Sequence, residues 1–344
     1  MRMSKILMVG HHDMETYSRG RILYKALGKI ARVDLFLLKK KGDILKLFHE
    51  LTKDYNKILC TGKLLSILSS IISRKYLILD SFISNYDTMV NDRKLVPKNS
   101  PKAKFLWYED KVACELADLV IVDTEEHRDY FSNEFGIDRE KIVVIPIGAD
   151  DEIFYPRELG TTELGTTTIT FWGSYIPLQG IEHILHAAKI LEKEDIVFHL
   201  IGNGQTYPEI IKLHKKLGLK NVNFIDWVKI DKLPEIISSS DICLGIFGDT
   251  EKALRVIPNK VYEAIAMKKP LITGDTPAIR RYFRDRENCM LCEVANPEAL
   301  ADSILELRDN KKLADKIADN GYKLFKKEFS IDAISRKCLD VALF

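Results

Sequence analysis

The 344-residue chain has no run of 18 apolar residues, so nothing in it reads as a membrane span. Its N-terminus, MRMSKILMVGHHD, holds an apolar run too short for a signal peptide and passes straight into a fold pattern. There is no Asp-x-Asp, so the paired carboxylates that a catalytic metal usually needs are missing at that spacing. No repeat of short period is present, and no nucleic-acid-binding motif accompanies the basic residues. Cysteine is sparse, and most of the six sit in apolar surroundings, which suits reduced core thiols in a cytoplasmic protein. Cys289 and Cys292 form a C-x-x-C, but no second pair or histidine cluster supports zinc. They lie in CMLCEV, which reads as a strand, so alternation points them to different faces.

Charge is balanced overall at +2 but not along the chain. Residues 1–104 hold 21 Lys/Arg against 9 Asp/Glu, and residues 105–155 hold 4 against 14. Such a bias is most often a solvated basic face. Its functional meaning is contact with an anionic surface or an anionic acceptor.

One stretch organises the rest, residues 242–275, ICLGIFGDTEKALRVIPNKVYEAIAMKKPLITGD. Residues 242–247 read as a buried strand ending at Phe247 and Gly248, where backbone can approach a ligand. A loop follows with Lys252, Arg255 and Lys260. Pro258 suits a helix start, the helix covers 261–269, and a strand opens after Pro270. In a parallel sheet, ligands bind beyond the carboxyl ends of the strands. Three cations and a helix N-terminus there suit a diphosphate. Glu263, three residues after Lys260, faces the same site and suits a sugar diol. The pair points to a nucleotide. The bland alternative is a solvated basic loop.

The remainder alternates strand and helix. Strands are expected at 5–10, 33–38, 56–62, 76–82, 119–123 and 141–147. Helices are expected at 15–30, 43–51, 63–73, 104–117 and 125–135, with a long polar loop over 83–103. A linker rich in Gly, Pro and Thr follows at 148–166. A second alternating set then begins, with strands at 167–172, 197–201, 221–227 and 289–294, and helices at 181–193, 207–217 and 232–238. From Pro297 the chain is helical. This is an α/β chain of two doubly wound, Rossmann-like domains facing a cleft. The domains are 1–155 and 156–330, with a further C-terminal helix at 331–344. The apolar helix at 63–73 reads as well buried. Its alternative is an exposed apolar face beside Lys39, Lys40 and Lys41, suited to a membrane surface.

The second half resembles nucleotide-sugar glycosyltransferases of the GT-B fold, most of all glycosyltransferase family 4. The matching segments are FWGSYIPLQGIEHILHAAKIL at 171–191, FHLIGNG at 198–204, NVNFIDWV at 221–228 and PNKVYEAIAMKKPLITGD at 258–275. The first half is looser: ILMVGHH, TYSRGRILYKAL and IPIGADDEIFYP resemble the acceptor domain, and LDSFISNYDTMVNDRK at 79–94 resembles a less common branch. The resemblance implies that Glu263 binds ribose. It implies a second glutamate eight residues earlier, where this chain has Arg255. It also implies cations at positions held here by Ser174 and Gln179. Lys252, Arg255 and Lys260 are the expected replacements. The resemblance further implies no metal requirement and no other cofactor, it favours retention of anomeric configuration, and it implies that the helix at 331–344 crosses back to the first domain.

Gly173 and Gly180 are expected to let backbone approach the phosphates, and Gly202 and Gly204 to border the base. Trp227 and Val228 are expected near the base, although Trp227 reads equally well as a strand-end core residue. On the acceptor side, His11 follows the first strand and suits a general base. Asp80 ends the fourth strand, and Asp87 follows in the loop; either carboxylate could deprotonate a hydroxyl or hold a sugar. His12, Asp13, Arg19, Asp92, Arg93 and Thr124 are further acceptor-side candidates. A helix cap explains Thr124, and a surface ion pair is the plain reading of Arg19. The expected activity is sugar transfer to an acceptor hydroxyl, on a lipid-linked or other glycan. The protein is expected in the cytoplasm, peripheral at the inner membrane face. The rival readings are a sugar-nucleotide epimerase of the same fold and a non-catalytic binding subunit.

Overall fold

A computed structural model describes residues 4–40, 42–157 and 165–340. Lys41, the expected linker's Gly160 and positions 341–344 of the expected last helix lie outside the described residues. The chain forms two compact units, one running to Ile147 and resuming at Ile331, the other covering 148–330.

The first unit holds β1 (Lys5–Gly10), α1 (Ser18–Gly28), β2 (Arg32–Leu37), α2 (Asp43–Thr52), β3 (Lys57–Cys60) and α3 (Lys63–Ile72). It continues through β4 (Tyr76–Asp80), α4 (Pro101–Leu116), β5 (Leu119–Val122), α5 (Glu125–Phe135) and β6 (Ile142–Val144). Its six strands are all parallel, in the order β2-β1-β3-β4-β5-β6. Strands covered on both faces read as continuous apolar runs, as β5, LVIV, shows by being buried throughout.

The second unit holds β7 (Thr167–Trp172), α6 (Ile181–Ile190), β8 (Ile196–Ile201), α7 (Tyr207–Leu217), β9 (Val222–Ile225), α8 (Leu233–Ser238) and β10 (Ile242–Leu244). It continues through α9 (Asn259–Ala266), β11 (Leu271–Gly274), α10 (Pro277–Arg280), β12 (Met290–Cys292), α11 (Pro297–Asp309) and α12 (Lys311–Glu328). Its six parallel strands take the order β12-β11-β10-β7-β8-β9. The strand order therefore reverses between β1 and β3 in one sheet and between β7 and β10 in the other. A crevice opens beyond the carboxyl ends at such a reversal.

The division falls at 147/148, ahead of the expected 155/156. Ala149 N–H donates to the Phe329 carbonyl at 3.2 Å, and Lys326 reaches Asp151 at 3.5 Å, so this turn belongs to the second unit. The last helix, α13 (Ile331–Asp340), packs on α1, with Lys29 paired to Asp332.

Two expectations are corrected. The stretch 83–103 is not a plain loop: residues 87–92 form a π-helical turn, and α4 starts at Pro101, capped by Ser100. Asp110 of α4 shapes that turn, since its carboxylate accepts from Ser84 Oγ at 2.7 Å and from the Asn85 and Tyr86 N–H groups at 3.1 and 2.8 Å. Nor is α3 a buried apolar helix. Lys63, Ser66 and Ser69 face inward, while Leu64 and Ile71 face solvent. All six cysteines are buried, free thiols. Among the described residues, no helix is long and apolar enough to cross a membrane.

Candidate functional site

The reversal in the second sheet gathers four side chains from distant stretches. β7 ends with Trp172, and α9 starts at Asn259 after the loop that leaves β10. The Trp172 indole N–H donates to Glu263 Oε2 at 2.6 Å, and both side chains are buried. One turn earlier on α9, Lys260 donates to Gln179 Oε1 and lies 4.2 Å from the centre of the Phe171 ring. Its ammonium stands over Gly173: a Cβ there would meet Nζ at 3.1 Å. Burial pulls the Lys260 ammonium down to about 7, against the opposing pull of Glu263. So Gly173, Gln179, Lys260 and Glu263 converge as expected. Trp172, which completes the group, was not foreseen; only the sheet order makes 172 and 263 neighbours.

The loops around this group are laced backbone to backbone. Tyr175 N–H donates to the Asn203 carbonyl at 3.0 Å, Thr206 N–H to Tyr175 at 3.0 Å, and Phe247 N–H to Gln179 at 3.0 Å. This lacing uses the expected glycines. A Cβ on Gly180, at φ +63°, would lie 2.3 Å from Gly248 N, and one on Gly202, at φ +122°, 2.1 Å from the Gly173 carbonyl. These two glycines, with Gly204 and Gly248, therefore make room for neighbouring chain. Ser174 is exposed. Trp227 is 62% exposed, which removes its reading as a core residue, and Val228 is half-buried beyond the edge strand β9. The basic loop is not solvated. Lys252 and Lys260 are buried, and Arg255 is mostly covered with its Nη1 3.7 Å from Glu251.

In the first unit, His11 and His12 stand at the reversal between β1 and β3, with ring centres 3.9 Å apart. A Cβ on Gly62, after β3, would touch the His11 ring at 3.2 Å. Partial burial, reinforced by His12, lowers the His11 pKa, so at neutral pH the imidazole is free to accept a proton. Asp13 accepts from Glu15 N–H at 3.0 Å, and Thr124 caps α5 by accepting from His127 N–H at 3.1 Å.

The expected roles of Arg19 and Asp80 are corrected. Arg19 is buried, not a surface cation, and Asp80 accepts from its Nε and Nη2 at 3.1 and 2.9 Å. Arg19 Nη1 is used up on the Ile145 and Pro146 carbonyls, at 2.8 and 2.9 Å. The pair pins α1 to the ends of β4 and β6, so neither group is open to a substrate. Asp87 and Asp92 are buried within the helical turn, where Asp87 Oδ1 accepts from Asn91 at 3.3 Å, and Arg93 is half-buried at its end. A buried Asp123–His127 pair at 2.5 Å, on β5 and α5, was also not foreseen.

This architecture is the GT-B fold of nucleotide-sugar glycosyltransferases. It matches the Thermosynechococcus elongatus sucrose-phosphate synthase at TM-score 0.76 and 16% identity, covering 98% of each chain. The Anabaena protein HepE, solved in complex with UDP-glucose, matches at TM-score 0.75 and 16% identity, again over 98% of each chain. Residues 161–324 match the family described as glycosyl transferases group 1. An uncharacterized glycosyltransferase of Methanocaldococcus jannaschii is 27% identical, over 71% of this chain and 63% of its own length. A mannosyltransferase of Mycolicibacterium hassiacum, named MMP alpha-(1->4)-mannosyltransferase, is 22% identical over 69% of this chain and 56% of its own length. The matches thus span about three fifths of these two relatives.

Proposed function

We propose that the protein is a glycosyltransferase of the family 4 type. It moves a sugar from a nucleotide diphosphate sugar, held by residues 148–330, to an acceptor hydroxyl held by the first unit. The observation that carries this reading is the group at the β7–β10 reversal. Lys260 offers positive charge beside Gly173 and the start of α6, which suits a diphosphate. Glu263, oriented by Trp172, offers the acceptor a ribose diol needs. Lys260 reaching Gln179 supports the expected compensation, in which a lysine from α9 supplies charge that the glutamine position lacks. Negative charge builds on the departing diphosphate, and fixed cations and helix N-terminal amides stabilise it.

No metal is assigned to this reaction, and retention is the favoured outcome. His11 is the favoured general base, because Asp80 is tied to Arg19. A lipid-linked or otherwise anionic glycan is the favoured acceptor, reached at a membrane surface. The likeness to a mannosyltransferase and to a UDP-glucose complex supports a sugar nucleotide as donor.

The test is a thermal-shift screen with UDP, GDP, ADP, CMP and their sugar conjugates, with and without EDTA. A ligand of the native state raises the melting temperature. The expected result is a shift with one nucleotide diphosphate that survives EDTA and is lost in Glu263→Ala. No shift with any of them would overturn the donor assignment. Binding without turnover across an acceptor screen would favour a non-catalytic subunit, and a changed sugar nucleotide without acceptor would favour an epimerase.

A further inference from the structure

We propose that the outer face of α2 and α3 is a docking surface for an anionic lipid bilayer. In a helix packed on a sheet, apolar residues normally face in and polar residues out. α3 departs from this in part: Leu65, Leu68 and Ile72 pack on the core, but other apolar positions face out. Ser66 and Ser69 point inward, Leu64 is 58% exposed and Ile71 is 76% exposed. α2 packs beside α3 and turns Leu47 and Leu51 to the core, yet it also exposes Ile44, Phe48 and Leu45, the last at 77%. Two adjacent helices thus present apolar side chains where a solvated face would carry charge. Exposed apolar side chains gathered on two neighbouring helices mark an interaction site.

The charges say what covers it. Residues 39–75 hold nine Lys/Arg against three Asp/Glu. The three carboxylates are engaged. Asp43 accepts from the Lys39 and Lys40 N–H groups at 3.1 Å each, Glu50 pairs with Lys53 at 2.6 Å, and Asp54 with Lys5 at 3.7 Å. Lys39 and Lys40, ahead of α2, and Arg74, after α3, are exposed. Helices that connect parallel strands run the same way, so these cations bracket the apolar face at both ends. Acyl chains suit the leucines, and lipid phosphates suit the flanking cations. A second copy of the chain would bring like charges together across the contact.

The surface gives a location to the lipid-linked acceptor of the sugar-transfer reading, and rests on that reading only for its purpose. Its test needs no sugar. The full chain is sedimented with vesicles of phosphatidylcholine, with or without phosphatidylglycerol, at low and high salt. The wild type should pellet with the phosphatidylglycerol vesicles at low salt, and a several-fold smaller fraction should pellet for Leu64→Ser/Ile71→Ser and for Lys39→Glu/Lys40→Glu. All these positions are exposed, so the melting temperature should stay at the wild-type value. Nucleotide binding, measured on the same samples, reports the donor site separately. The proposal is overturned if the wild type stays in the supernatant, or if the serine variant pellets as well as the wild type. It is equally overturned if light scattering shows a wild-type dimer that the serine variant splits.

Discussion

Trp172 has one N–H and no acceptor of its own, and it gives that N–H to a buried carboxylate 91 positions away. This fixes the orientation of the Glu263 carboxylate. Trp172→Phe keeps an aromatic ring and loses the donor. A hydrogen bond to a charged group contributes about 1.5–3 kcal/mol, so donor affinity should fall by about tenfold or more. Titration calorimetry should show that loss with the ribose nucleotide and little of it with the 2′,3′-dideoxy analogue; an equal loss with both would mean that Trp172 only supports the fold. Lys260 adds a pH dependence. Its ordinary value is 10.5 and burial takes it to about 7, so above pH 7 the ligand-free lysine is neutral. A diphosphate favours the charged form. Donor affinity should therefore be highest below pH 7 and fall above it, with proton uptake on binding at pH 8 that is lost in Lys260→Met. Calorimetry in buffers of different ionisation heat reads this directly. The same shift makes this group's contribution to stability rise between about pH 7 and 10.5, because there the unfolded chain binds the proton that the folded one has lost. Glu263 and Lys260 were legible from their place at a helix start. Trp172, and the burial of Arg19 against Asp80, were not, because each depends on a neighbour brought by the sheet.

At the scale of elements, the loops beyond β7, β8 and β10 form one laced unit in which glycines admit foreign backbone. Gly202→Ala tests this. Its Cβ would need φ +122° and would strike the Gly173 carbonyl at 2.1 Å. Positive-φ strain and overpacking each cost about 1–3 kcal/mol, so urea unfolding should show a loss of about 3 kcal/mol. The sequence marked these glycines but read them as openings toward a ligand; the structure fills at least the Gly180 and Gly202 openings with chain. The helices show a similar limit. α3 is apolar on more than one side, and Lys63 lies on the side that meets the protein, where it reaches the Ile83 carbonyl and lies 3.7 Å from Asp110. The expected loop over 83–103 hides a helical turn for the same reason. Its cap, Asp110, sits on another element.

For the molecule as a whole, the chain leaves the first unit at Ile147 and returns to it at Ile331. α13 buries Ile331, Ala333, Ile334 and Cys338 and packs on α1. Truncation before Ile331 should therefore lower the melting transition of the first unit, while nucleotide affinity, which the proposed function assigns to residues 148–330, stays near the wild-type value. Scanning calorimetry with nucleotide titration checks both. Loss of nucleotide binding in the truncated chain would mean that the two units do not fold independently.

The sequence by itself determined the alternation of strand and helix, the two parallel sheets and the basic loop before Lys260 and Glu263. Those follow from local periodicity, breakers and spacing, which each segment carries within itself. The tertiary structure alone decided that Lys260 stands on Gln179, that Trp172 holds Glu263, that Arg19 is spent on Asp80 and that α3 turns Leu64 and Ile71 outward. Each is a contact between residues far apart in the chain, set by strand order and packing, and no local pattern encodes the partner.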